Sequence, residues 1–312
     1  MIRCRLKKFP SSGSRVSATV VLVSLLISTP NAYSGKVHLF CGGVSGCGDL
    51  ADPSNSKFYR ADGGGVFIHS VGWEKHTTDA QKEAIMELWK SNAWGIEMGF
   101  SGDNYTTRPR AYKRRYLDRG IQPTFITVNA FSSGRVPTVA AWKKTVQGYY
   151  EVGVPEDTPI CATFEYQNMP QYMNKLEANM VSKRTDFQEI ISASRGLTLD
   201  IPPSVYFRRL NHKNPRVRQY HDWIIDAIQW AIKNGYTVGI IVSPNSAKEQ
   251  YDEDTKKFIA MLYSNRCLPH FFVVENYSPE SPSTYANEVG NEHTPHHQLG
   301  CARMIQRMKL RR

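Results

Sequence analysis

The chain has 312 residues, 41% of them hydrophobic, and a formal net charge of +11. That length and apolar fraction are those of an ordinary globular protein and allow a sizeable core without metal or disulfide staples. The charge lies at the two ends, in Arg3, Arg5, Lys7, Lys8 and Arg15 and in Arg303, Arg307, Lys309, Arg311 and Arg312. About +1 remains for the body between them, which argues against a continuous phosphate-tracking stripe and against nucleic acid as a partner.

The chain opens with "MIRCRLKKF" and the apolar run "VSATVVLVSLLIS", followed by small residues at Ala32 and Ser34. A basic leader, a short apolar run and a small-residue exit predict a secretory signal peptide over 1–34, with an uncleaved anchor as the alternative. The expected location is secreted or periplasmic, with no membrane association after cleavage. Loss of the leader removes Cys4 and leaves Cys41, Cys47, Cys161, Cys267 and Cys301 in an oxidising compartment. Cys41 with Cys47, and Cys267 with Cys301, are candidate disulfides, whereas Cys161 inside an apolar strand reads as a buried free thiol.

From Val66 onward short apolar runs alternate with longer amphipathic ones. The strand candidates are "VFIHSV", "WGIEMGF", "PTFITVNAF", "ICATFEY", "LTLDI", "TVGIIV" and "HFFVVENY". Helical periodicity falls between them, in "TTDAQKEAIMELWKSNA", "PTVAAWKKTVQGYYEV", "VRQYHDWIIDAIQWAIKNG" and "EQYDEDTKKFIAMLYSN". Thr77 or Thr78 is the N-cap candidate of the first, and Gly235 closes the third. Strand starts recur about every 28 to 40 residues, enough for one strand and one crossover helix, and strands apolar on both faces fit a parallel sheet covered by helices. The fold class predicted is α/β, a (β/α)8-type TIM-like barrel over 65–312, preceded by an N-terminal extension over 35–64. Only seven strands are counted, so "KVHLF" takes the vacant position, or the eighth unit is incomplete, or a strand is missed. No GxGxxG, GxxxxGK[ST] or GxSxG pattern stands in the required strand-turn-helix context, which removes nucleotide folds and serine esterases.

Parallel barrels build sites where strands end, because the following loops converge on one mouth. His69, Glu97, Asn129, Glu165, Asp200, Ser243 with Asn245, and Glu275 occupy such positions. A carboxylate at a strand end can also cap a helix or pair with an arginine, and a histidine there can be a satisfied core group. The aromatics Trp73, Phe131, Tyr166 and Tyr277 flank the same ends, as stacking surfaces for a sugar or as loop anchors. Glu292, His293, His296 and His297 lack the one-face spacing of a helical metal motif, so no metal and no cofactor are expected. The sequons at Asn104 and Asn276 are short enough to arise by chance.

With Glu165 ending the fourth counted strand in "CATFEYQN" and Glu275 the seventh in "FFVVENYSP", the pattern resembles the retaining (β/α)8 glycoside hydrolases. The resemblance covers Val66 to Tyr277 as strand order only. It implies Glu165 as acid/base and Glu275 as nucleophile. The strand-end and flanking residues His69, Trp73, Glu97, Asn129, Tyr166, Asp200, Asn245 and Tyr277 are then expected to bind a carbohydrate substrate. The family has Asn immediately before its acid/base where this chain has Phe164. Were "KVHLF" the first barrel strand, the two glutamates would end strands five and eight and the match would fail. Paired carboxylates suit glycosidic cleavage on chemical grounds, one protonating the leaving oxygen and one attacking or activating water. The alternatives are a polysaccharide lyase, a phosphodiesterase-like barrel using His69 and Glu97, and a non-catalytic carbohydrate-binding barrel.

Overall fold

A computed structural model of the chain describes residues 37–43, 64–75, 77–90, 93–99, 106–129, 137–165, 184–242, 248–276 and 298–312. The leader, Cys47, Asn104, Phe131, Tyr166, Ser243, Asn245, Tyr277 and the histidine cluster at 293–297 lie outside them. Eight strands are present: β1 His38–Gly43, β2 Gly64–His69, β3 Ala93–Gly99, β4 Phe125–Asn129, β5 Ile160–Glu165, β6 Gly196–Asp200, β7 Thr237–Val242 and β8 Phe271–Asn276. Each pairs in parallel with its sequence neighbours, and β8 pairs with β1 to close the barrel.

The vacant eighth position is filled by "HLFCGG". Residues 35–64 are therefore not an extension ahead of the barrel, since they contain its first strand. The count shifts by one, so Glu165 ends strand five and Glu275 strand eight. The strand-four and strand-seven correspondence fails, and with it the roles drawn from that order. This strand escapes the count because it ends in two glycines and stands more than twenty residues before the next.

Nine α-helices are described: α1 Ser70–Lys75, α2 Asp79–Trp89, α3 Thr107–Arg115, α4 Val139–Glu151, α5 Thr185–Ser194, α6 Pro203–Leu210, α7 Pro215–Lys233, α8 Lys248–Ser264 and α9 Gln298–Arg307. Their ends follow local chemistry. Thr78 caps α2 in a reciprocal box with Gln81, satisfying two amide donors that a helix start leaves free. Gly235 takes φ of 77° beyond α7, and the Gly235 and Tyr236 amides donate back to the Ile232 and Ala231 carbonyls. The last helix, α9, packs on β8 and β1 and covers the closing seam.

Two apolar layers result from the strand period of two. Residues such as Val66, Ile96, Ile126, Phe164, Leu199 and Ile240 face the helices. Inside the barrel lie Phe40, Phe67, Phe125, Ile241, Phe271 and Val273. The Phe125 and Phe271 rings stack with centroids 3.9 Å apart, and Phe40 meets Phe125 edge-on at 4.8 Å. Glycines on neighbouring strands make room for these rings: a Cβ on Gly65, Gly95 or Gly239 would stand 2.5, 2.3 or 2.2 Å from Phe40, Phe125 or Phe271 respectively. This aromatic plug fills the barrel below its mouth, so any site must lie above it.

Cys161 is a buried free thiol as expected. Cys267 and Cys301 are both buried and form no disulfide, which corrects the pairing expected between them. The Cys267 thiol instead donates to the Asn265 carbonyl at 3.2 Å, next to it in the turn after α8.

Candidate active site

The strand period that buries the aromatic plug also delivers the polar groups. Two residues beyond Phe67 is His69; beyond Gly95, Glu97; beyond Thr127, Asn129; beyond Thr163, Glu165; beyond Thr198, Asp200; beyond Val273, Glu275. All six are on the inward-facing set at the C-terminal strand ends, so they converge on one mouth. A buried strand such as "ICATFE" ends in a charge because its last inward-facing residue reaches the mouth.

The six fall into two groups. On one side, Glu165 and Asp200 are register partners on the adjacent strands β5 and β6. The Asn129 amide, from the end of β4, donates to Glu165 Oε1 at 2.6 Å. An amide donor favours the ionised carboxylate. At Asp200, burial first, then the charges of Glu165 and Glu97, hold the carboxyl well above the usual carboxylate range. Its Oδ1 is sealed from solvent without a hydrogen-bond partner among the described residues.

On the other side, His69 and Glu97 are register partners on β2 and β3, with Nε2 3.1 Å from Oε1. Glu275 approaches them from β8, and one ligand atom of each of the three lies within 4.8 Å of the others. Glu275 can reach across because its register partner on β1 is Gly42, which has no side chain. Glu97 and Glu275 are 4% and 3% exposed. Burial, followed by the charges of Glu97, Asp200 and Glu165, raises the Glu275 carboxyl well above the usual range.

Asn129, Glu165, Asp200, His69, Glu97 and Glu275 therefore reach one mouth. Trp73 does not. It lies on α1, is fully buried, and packs against Tyr116 in the layer between strands and helices. A residue four beyond a strand end has already turned into the helix that returns over the barrel. The His69–Glu97–Glu275 convergence has no local sequence signal, because its members come from three strands brought together by closure.

No protein-family model matches the chain, and no curated protein sequence matches it. Among solved structures it is similar to the exo-β-1,4-mannosidase Op5Man5 from Opitutaceae bacterium strain TAV5, with TM-score 0.50 and 10% identity over 88% of this chain and 60% of that one. The catalytic domain of a GH26 endo-β-1,4-mannanase from Bacillus sp. JAMB-750 aligns with TM-score 0.49 and 9% identity, covering 89% and 87% of the two chains. A 2,3-dimethylmalate lyase of the PEP mutase/isocitrate lyase superfamily aligns with TM-score 0.43 and 10% identity, covering 90% and 96%. What they share with this chain is the fold. It is a TIM barrel. At such identities a TIM barrel carries many chemistries, so function rests on the site.

Proposed function

We propose that this TIM barrel is a secreted glycoside hydrolase in which Glu165 and Asp200 form the reacting pair. The reading is carried by one observation: register-matched carboxyls on adjacent strands, one accepting the Asn129 amide and the other held by burial above the usual carboxylate range. Strands lie about 4.7–4.9 Å apart. Carboxyls in register across that gap suit the separation of about 5–5.5 Å used in double displacement.

Asp200, held neutral, protonates the glycosidic oxygen as the bond to the anomeric carbon breaks. Glu165, oriented by the Asn129 amide, attacks that carbon as the carboxylate and forms a glycosyl ester. The aglycone leaves, and Asp200, now a carboxylate, takes a proton from the incoming water that releases the sugar with net retention. Compared with the roles implied by strand order, Glu165 becomes the nucleophile and Asp200 replaces Glu275 as its partner. The predicted leader supports a substrate outside the cell.

The test is hydrolysis of a panel of aryl glycosides and polysaccharides by the full chain, with product configuration followed by proton NMR. Retention, together with loss of turnover in Glu165→Gln and Asp200→Asn, is expected. An unsaturated sugar end would instead assign a lyase, and full activity in both variants would remove this pair from the chemistry.

A further inference from the structure

We propose that His69, Glu97 and Glu275 form a binding site for a divalent first-row cation such as Zn²⁺ or Mn²⁺, on the side of the mouth facing the Glu165–Asp200 pair. The ligand atoms come from three strands of one rigid barrel, β2, β3 and β8, and lie within 4.8 Å of one another. Atoms held about 2.0–2.2 Å from one metal stand about 3.0–3.4 Å apart along a coordination edge. His69 Nε2 and Glu97 Oε1, 3.1 Å apart, already span such an edge, and a small rotation of the Glu275 side chain completes the face.

A second observation points the same way. Glu275 is 3% exposed, is aimed into this cluster, and the described groups acting on its carboxyl are the carboxyls of Glu97, Asp200 and Glu165, with no donor among them. A buried carboxyl left without a donor costs free energy that a cation offsets. The charge census agrees. Among the described residues four carboxyl groups share the mouth with one imidazole, and no basic side chain is among the groups acting on Asp200 or Glu275. One imidazole with two carboxylates is a mixed nitrogen and oxygen set, suited to Zn²⁺ or Mn²⁺ more than to thiol-seeking metals. Gly42, the register partner of Glu275 on β1, puts no side chain between β8 and β2. The hydrolase reading adds a role: a cation there would take neighbouring hydroxyls of a sugar bound over Glu165 and Asp200.

The full chain is stripped with chelator and titrated with Zn²⁺ and with Mn²⁺ by calorimetry. One equivalent of at least one of these ions per chain is expected, weakened at least about tenfold in both Glu275→Gln and His69→Ala, with circular dichroism confirming that each variant is folded. A variant replacing His293, His296 and His297 by Ala is expected to bind as the parent does. Absence of stoichiometric binding, unchanged affinity in Glu275→Gln and His69→Ala, or loss of binding in the triple variant would each overturn the proposal. Binding is read without turnover, and Glu165→Gln is expected to lose turnover while keeping the cation. Failure of the hydrolase reading and failure of this one are therefore distinguishable.

Discussion

Asp200→Asn should act on activity and stability in opposite directions. The substitution keeps the shape of the protonated acid and removes its titration. If Asp200 delivers the proton to the leaving oxygen, kcat falls by about 10²–10⁴, or roughly 3–5 kcal/mol of barrier. Stability should rise at neutral pH. The folded carboxyl is held well above its ordinary range by burial and by Glu165 and Glu97, so between its unfolded pKa of about 3.9 and its folded value the unfolded state binds fewer protons than the folded state. Stability contributed by this group is complete below about pH 3.9 and falls as pH rises toward the folded pKa. Each unit of elevation corresponds to about 1.4 kcal/mol. A barrel of roughly 275 residues unfolds with an entropy of about 0.6 kcal/mol per kelvin, so even one unit raises Tm by about 2–3 °C. Differential scanning calorimetry of parent and variant from pH 4 to 8, alongside the glycoside assay, reads both effects. The Tm difference should grow with pH and vanish near pH 4. A variant that is less stable than the parent at pH 7, or whose advantage does not change with pH, would refute the argument that Asp200 is held neutral.

Three further outcomes follow from named contacts. Asn129→Ala removes the 2.6 Å amide donor to Glu165; a charge-assisted bond of about 1.5–3 kcal/mol corresponds to a 10- to 150-fold loss in kcat/KM, and activity within twofold of the parent would remove Asn129 from the site. Gly239→Ala places a Cβ 2.2 Å from the Phe271 ring, which is stacked on Phe125 and cannot retreat; overpacking of about 1–3 kcal/mol should lower Tm by about 2–5 °C, and an unchanged Tm would contradict the inward placement of this ring. Burial pushes the Cys161 thiol up to about 12 and the Cys267 thiol up to about 11, so iodoacetamide at pH 8 should label neither in the native protein and both after denaturation, as read by mass spectrometry; native labelling of Cys161 would place it outside the core.

What the sequence determined by itself was whatever depends on near neighbours in the chain. Apolar runs at regular spacing specify strands and crossover helices, the Thr78 and Gly235 signals mark helix ends, and a carboxylate closing "ICATFE" or "LTLD" announces a strand end. Because side chains alternate along a strand, each such residue also had to share a face with the interior residue two before it. Tertiary structure decided what depends on closure. Only the ring shows that "HLFCGG" is β1, which moves Glu165 and Glu275 to strands five and eight and removes the analogy built on their order. Only packing turns Trp73 into core and leaves Cys267 and Cys301 without a disulfide. Partnership at the mouth is likewise a property of the ring. Glu165 and Asp200 are 35 residues apart in sequence and adjacent in register, while Glu275 meets His69 and Glu97 across a glycine. Protonation depends on burial and on the sum of neighbouring charges, and neither quantity exists until distant strands have been brought together.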